Sequence, residues 1–177
     1  GRIARITSDL KDVDFLSSSA DALGRIYTIL EDLKGRVWIA ASSGIYLWNE
    51  EESHLIKMEQ PVNEFIGVRG MICTKRGKLY VNTVNNGLYS VDEESKALKP
   101  FSSKFELEKD RIYALMEDKD EKLWLGGFKK GIVTLSNESS QFKFKPLSSF
   151  TLSMGNTLSF VYEDKKNRIW TSTADGR

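Results

Sequence analysis

Apolar residues fall in short runs of four to six, rich in β-branched and aromatic side chains. Ile26-Tyr27-Thr28-Ile29-Leu30, Val37-Trp38-Ile39-Ala40 and Ile45-Tyr46-Leu47-Trp48 are examples. Polar and glycine-bearing turns separate such runs: Asp32-Leu33-Lys34-Gly35, Ser42-Ser43-Gly44, Asn85-Asn86-Gly87, Lys129-Lys130-Gly131 and Asp175-Gly176. Runs of this length between turn residues predict strands. No window has the roughly ten to twelve residues of i, i+3, i+4 apolar spacing that a packed helix needs. The glycine that follows each second run suits a tight hairpin, where a positive φ is required.

The pattern repeats. Segments beginning at Gly24, Gly67, Asp110 and Asn156 align, with an aromatic anchor at Trp38, Tyr80, Trp124 and Trp170 and a glycine at Gly44, Gly87, Gly131 and Gly176. The anchors are spaced 42, 44 and 46 residues apart and the glycines 43, 44 and 45. A period near 43 fits either paired-helix repeats or four-stranded propeller blades, and the strand-length runs select the blade. In the first full unit the strands are expected at about 26–31, 36–41, 44–48 and 54–59, innermost first. His54-Leu55-Ile56-Lys57-Met58 alternates as an edge strand does. Pro61, Pro100 and Pro146 all fall at or just beyond this fourth strand, where a missing N–H is tolerated.

The predicted fold is therefore all-β, a β-propeller of four-stranded antiparallel blades with about four repeats. The repeats run roughly 1–22 (half blade), 23–66, 67–108, 109–153 and 154–177 (half blade). Gly1 to Ile6 has the phase of a third strand, segment 13–17 that of a fourth, and the last repeat stops at Asp175-Gly176-Arg177, before its third. The half blades could pair and close a ring, or the chain could be a fragment of a larger propeller; the fragment is the expectation.

Composition narrows the chemistry. With 26 Lys plus Arg against 25 Asp plus Glu, the 177-residue chain has a net charge of +1 and no broad basic field for nucleic acid. One cysteine, Cys73, excludes an internal disulfide framework and a cysteine-cluster zinc site, and one histidine, His54, excludes histidine-rich metal sites. No apolar run approaches a membrane span. His54 is expected on the surface, and Cys73 is expected buried at the end of an inner strand. Gly126-Gly127 reads as a strand end and not a phosphate cradle. No metal, cofactor or catalytic residue is expected.

The recurring Glu-Asp pairs, Glu31-Asp32, Glu117-Asp118 and Glu163-Asp164, sit at one phase in three repeats. That is what a turn needs: Asp accepts hydrogen bonds from the turn's own N–H groups. Asp32, Asp118, Asp164 and the aromatic and glycine markers are thus read as structural, with the aromatic rings packing between neighbouring blades. The second repeat has Thr74-Lys75 instead.

The run from Ile29 to Ile45 has the form Ile-x-Glu-Asp-x-x-Gly-x-Val-Trp-Ile-Ala-x-x-x-Gly-Ile. It resembles the two-component regulator propeller repeat. Met116-Glu117-Asp118 through Leu123-Trp124-Leu125-Gly126-Gly127 and Gly131-Ile132 are close to it. So are Glu163-Asp164, Ile169-Trp170-Thr171-Ser172-Thr173 and Gly176. The second repeat departs, with Tyr80 for Trp. The resemblance implies a periplasmic sensor region of a Bacteroides-type hybrid two-component histidine kinase, part of one seven-bladed propeller, with any kinase activity in other domains. It further implies sensing of glycan-derived ligands. Expected partners are the other blades and domains of the parent sensor and an oligosaccharide, with no nucleic acid and no membrane insertion. An open arc would expose sheet faces, which predicts a homodimer.

Ligand contacts would come from loops entering the inner strand and loops between second and third strands. These supply Arg25, Asn85, Asn86, Arg111, Lys129, Lys130 and Asn156 as candidates. Two other readings stand beside the sensor. An intracellular or secreted protein-interaction propeller would be marked by Gly-His and Trp-Asp dipeptides, which are absent. A propeller lyase or hydrolase would need a histidine near the axis, so the place of His54 discriminates.

Overall fold

The computed structural model describes residues 2–16, 23–61, 67–101, 111–127, 131–138, 141–146 and 158–173, and side chains outside 137–146. Every regular element among them is a strand. The first blade is β3 (Ile26–Glu31), β4 (Val37–Ala41), β5 (Gly44–Asn49) and β6 (His54–Lys57), paired in chain order as an antiparallel meander. The second is β7 (Val68–Cys73), β8 (Leu79–Thr83), β9 (Leu88–Asp92) and β10 (Ala97–Pro100). The third is β11 (Ile112–Glu117), β12 (Leu123–Gly127), β13 (Ile132–Glu138) and β14 (Gln141–Pro146). Two further sheets have two strands each: β1 (Ala4–Ile6) with β2 (Val13–Phe15), and β15 (Leu158–Glu163) with β16 (Ile169–Thr173).

The hairpin glycines behave as their phase requires, with φ of 143° at Gly44, 75° at Gly87 and 65° at Gly131; Gly176 lies outside the described residues. Pro100 and Pro146 close the fourth strands β10 and β14. The fourth strand of the first blade is shorter than its expected 54–59. Met58 N–H still donates to the Ile45 carbonyl (2.9 Å), and the chain then leaves as Glu59 turns to the second blade, where its N–H donates to the Lys96 carbonyl (2.7 Å) and its carbonyl accepts from Leu98 N–H (2.8 Å).

The core is not one mass but a series of clusters between blades. Trp38, Ala40, Ile45 and Met58 of the first blade meet Val68, Met71, Leu79 and Val81 of the second. Tyr80, Leu88 and Phe101 of the second meet Ile112, Leu123, Leu125 and Leu135 of the third. Ile3 meets Leu23, Ile39 and Tyr46, seating β1–β2 beside the first blade. Full burial of one such side chain contributes about 2 kcal/mol. Cys73 is half-buried at the rim of the first cluster, less enclosed than expected, because it ends β7 next to a solvent-facing turn. Stacked blades bring the four inner strands side by side, so equivalent positions of β3, β7, β11 and β15 face one cleft.

Candidate functional site

Each inner strand has two differently built ends. Its C-terminal end enters a turn held by the repeating aspartate. Asp32 Oδ1 accepts from the N–H groups of Lys34 (2.8 Å) and Arg36 (3.0 Å), while Oδ2 accepts from Arg36 Nε and Trp38 Nε1 (both 2.8 Å). Asp118 accepts from Asp120 and Lys122 N–H and from Trp124 Nε1 (2.9, 2.8 and 2.7 Å). Asp164 accepts from Lys166 and Arg168 N–H, Arg168 Nε and Trp170 Nε1 (2.8, 3.0, 2.7 and 2.9 Å). The cation four residues on also lies over the Trp ring, at 5.4 Å for Arg36, 6.0 Å for Lys122 and 5.2 Å for Arg168. In the second blade Thr74 Oγ1 takes only the Lys78 N–H (3.0 Å), and Tyr80 replaces Trp.

This is a clasp, and its electrostatics fit that role. Burial pushes the Asp32 carboxyl upward, but hydrogen bonds from the Arg36 side chain, Trp38 and the turn N–H groups outweigh it and hold the pKa at about 2. Asp164, more open to water, is also held at about 2, chiefly by Trp170 and the Arg168 N–H. The preceding glutamate does a different job. Glu117 Oε2 accepts from Lys75 N–H in the second blade, and Glu163 Oε2 accepts from Lys119 N–H in the third, both at 2.7 Å. The Glu117-Asp118 and Glu163-Asp164 pairs thus use Asp for their own turn and Glu for the turn of the blade before.

At the N-terminal end every inner strand skips one residue against its neighbour. The slip lies between Ile26 and Thr28, Val68 and Gly70, Ile112 and Ala114, and Leu158 and Phe160. The four bulged residues are Tyr27, Arg69, Tyr113 and Ser159. A bulge re-aims a side chain, and all four line one cleft of about 440 Å³. Buried Asn82 donates Nδ2 to the Ile112 carbonyl (3.0 Å) and so fixes the backbone just before Tyr113. Ser159 Oγ lies 3.1 Å from Ser172 Oγ. Tyr27 carries two cations over its ring, Arg25 at 5.4 Å and Arg69 at 5.0 Å from the centroid. The frame is constant and the displayed residue varies, Tyr, Arg, Tyr, Ser; this is how a repeat scaffold makes a composite site.

Of the loop residues expected at a ligand site, Arg25 lines this cleft. Asn85 and Asn86 form the β8–β9 turn, where Asn86 N–H donates to Thr83 Oγ1 (3.0 Å), and they are not among the cleft-lining residues. Arg111 is exposed just before β11, at the phase of Arg25, and is not among the cleft-lining residues either. Lys129, Lys130 and Asn156 lie outside the described residues. His54 sits on outer strand β6, exposed, with Nδ1 3.2 Å from Glu52 Oε2 and away from the cleft. Sequence reasoning missed all four bulged residues, Tyr27, Arg69, Tyr113 and Ser159. The available signal was their common place, second in each inner strand. Among the described residues no group of histidine, cysteine and carboxylate side chains could hold a metal.

Comparison with known proteins agrees with this architecture. Residues 106–129, around β11 and β12, match the family model described as two component regulator propeller. No curated protein matches the chain. Among solved structures it is similar to an extracellular domain of B. thetaiotaomicron described as part of a one component system, BT4673 (TM-score 0.72, 15% identity, 96% of this chain, 23% of that one). It is also similar to the extracellular domain of a hybrid two component system, BT3049, of the same organism (TM-score 0.64, 21% identity, 84% of this chain, 19% of that one). A third likeness is to virginiamycin B lyase from Staphylococcus aureus (TM-score 0.73, 14% identity, 97% of this chain, 56% of that one). The chain spans about a fifth to a quarter of the two extracellular domains. At these identities the structural likeness is one of fold, that of an all-β propeller, and the likeness to the two component regulator propeller model is confined to residues 106–129.

Proposed function

We propose that the chain is a ligand-recognition segment of an extracytoplasmic, non-catalytic sensor propeller, and that it binds a glycan-derived ligand at the ring formed by Tyr27, Arg69, Tyr113 and Ser159. The observation that carries the reading is the bulge at one phase of all four inner strands, which delivers two tyrosines, an arginine and a serine to one cleft. Aromatic rings and hydroxyls beside Arg donors are the groups that stack on and hydrogen-bond to sugars. The two extracellular-domain likenesses support a place outside the cytoplasm and a sensing role. A lyase-type chemistry has less support, since the chain's one histidine stands on an outer strand.

The test is a calorimetric titration of the chain with a panel of neutral and acidic oligosaccharides. Saturable binding that weakens at least about tenfold in Tyr27→Ala, as loss of a stacking ring at a binding centre would produce, is the expected result. Binding that survives both Tyr27→Ala and Tyr113→Ala, or no saturable binding by any member, would remove the ring as the site.

A further inference from the structure

Among the described residues, the cleft lining includes two arginines, Arg25 and Arg69, and no carboxylate. Four arginines elsewhere are ion-paired. Arg5 pairs with Asp14 and Glu50, Arg36 with Asp32 and Glu93, Arg76 with Glu121, and Arg168 with Asp164. Arg25 and Arg69 have no carboxylate within ion-pair distance among the described residues; both lie over the Tyr27 ring instead. A guanidinium attracted to an aromatic face makes no ion pair in doing so and keeps N–H donors that can receive a carboxylate or sulfate in bidentate fashion.

Resting on the reading of the bulge ring as the ligand site, we propose that its ligand is an acidic sugar, whose carboxylate or sulfate is held by the N–H donors of Arg25 and Arg69 beside the Tyr27 ring. Arg69 supplies the bulged, cleft-facing fork, and Arg25 supplies the second from the segment that enters β3. The sugar body then extends toward Tyr113 and Ser159, the other two bulged positions. The second blade departs from its neighbours here for a reason: it places Arg where the first and third place Tyr.

The experiment is calorimetric titration of the chain with four probes: trigalacturonic acid, glucosamine 6-sulfate, inorganic sulfate and neutral maltotriose. It is repeated with Arg69→Gln, Arg69→Lys and Arg25→Gln, with melting temperatures taken in parallel. The expected result is tighter binding of an acidic sugar than of maltotriose, weakened about tenfold or more by Arg69→Gln, as loss of a charge-assisted bond implies. Arg69→Lys should restore only part of it, and melting temperatures should stay at the parent value. A preference for trigalacturonic acid would identify the group as carboxylate, and one for glucosamine 6-sulfate as sulfate ester. Inorganic sulfate binding as tightly as either sugar would overturn the assignment to a sugar. Maltotriose binding equally well and unchanged in both Gln variants would overturn the acidic ligand while leaving the ring as the site. No saturable binding by any probe would overturn both.

Discussion

The two ends of each inner strand follow opposite rules. At the turn end, Asp32, Asp118 and Asp164 make the same set of bonds in three blades, to turn N–H groups and to the Trp indole. At the bulge end, the backbone slip is the same in four sheets while the side chain varies, Tyr in two of them, Arg in one and Ser in one. The first end repeats its chemistry because each blade must be closed and stacked in the same way. The second repeats only its geometry, leaving residue identity open for recognition. Stability and binding should therefore separate along a single strand, over a span of about five residues.

The sharpest test of the turn end is Trp38→Ala. It removes a ring that is 1% exposed and leaves Asp32 Oδ2 without its indole donor. A loss of about 4 kcal/mol in denaturant unfolding is expected. The next effect is on acid stability. Asp32 is held at about 2 in the folded chain, below its ordinary 3.8. A lowered pKa contributes stability above the unfolded value and loses it as pH falls through the folded one. Asp32 alone should account for about 2 kcal/mol lost between roughly pH 4 and pH 2. Urea midpoints across that range should show this slope, and Asp32→Asn should flatten it.

The glutamates allow a paired control. Glu163 reaches Lys119 N–H in the neighbouring blade, whereas Glu31 makes no hydrogen bond among the described residues. Glu163→Ala should cost about 1 kcal/mol, and Glu31→Ala should fall within about 0.3 kcal/mol of the parent. The smallest effect concerns the turn residue with left-handed backbone. It is Gly35 and Gly77 in two blades, at φ of 75° and 77°, but Glu121 and Asn167 in the others, both at 60°. Glu121→Gly should raise stability by about 0.5 kcal/mol. The relief of a strained φ exceeds the loss of an exposed pair with Arg76.

These residues also show what the sequence makes legible. Strand runs, turn glycines and the 43-residue period are local patterns, so the blades could be read in order and close to register. The turn half of the aspartate clasp was legible for the same reason, since its N–H donors lie within four residues; the Trp indole bond was not read. The role of Glu117 and Glu163 was not, because the acceptor and donor are 42 to 44 residues apart and meet only after blades stack. The bulges were hidden for a different reason. Strict alternation assigns each residue to a face, and a bulge shifts that phase by one without a mark in composition. Ligand candidates were therefore sought in loops, where Arg25 was found, while Tyr27, Arg69, Tyr113 and Ser159 were missed inside strands.

The most direct test uses β11, which carries both ends in one strand. Melting temperature and binding of the tightest acidic sugar should be measured side by side for Tyr113→Ala and Asp118→Ala. The account predicts that Tyr113→Ala weakens binding with the melting temperature near the parent value. It predicts that Asp118→Ala, which frees two N–H groups and the Trp124 indole, lowers the melting temperature with binding unchanged below it. Equal loss of both properties in both variants, or unchanged binding in Tyr113→Ala, would contradict the division between the two ends.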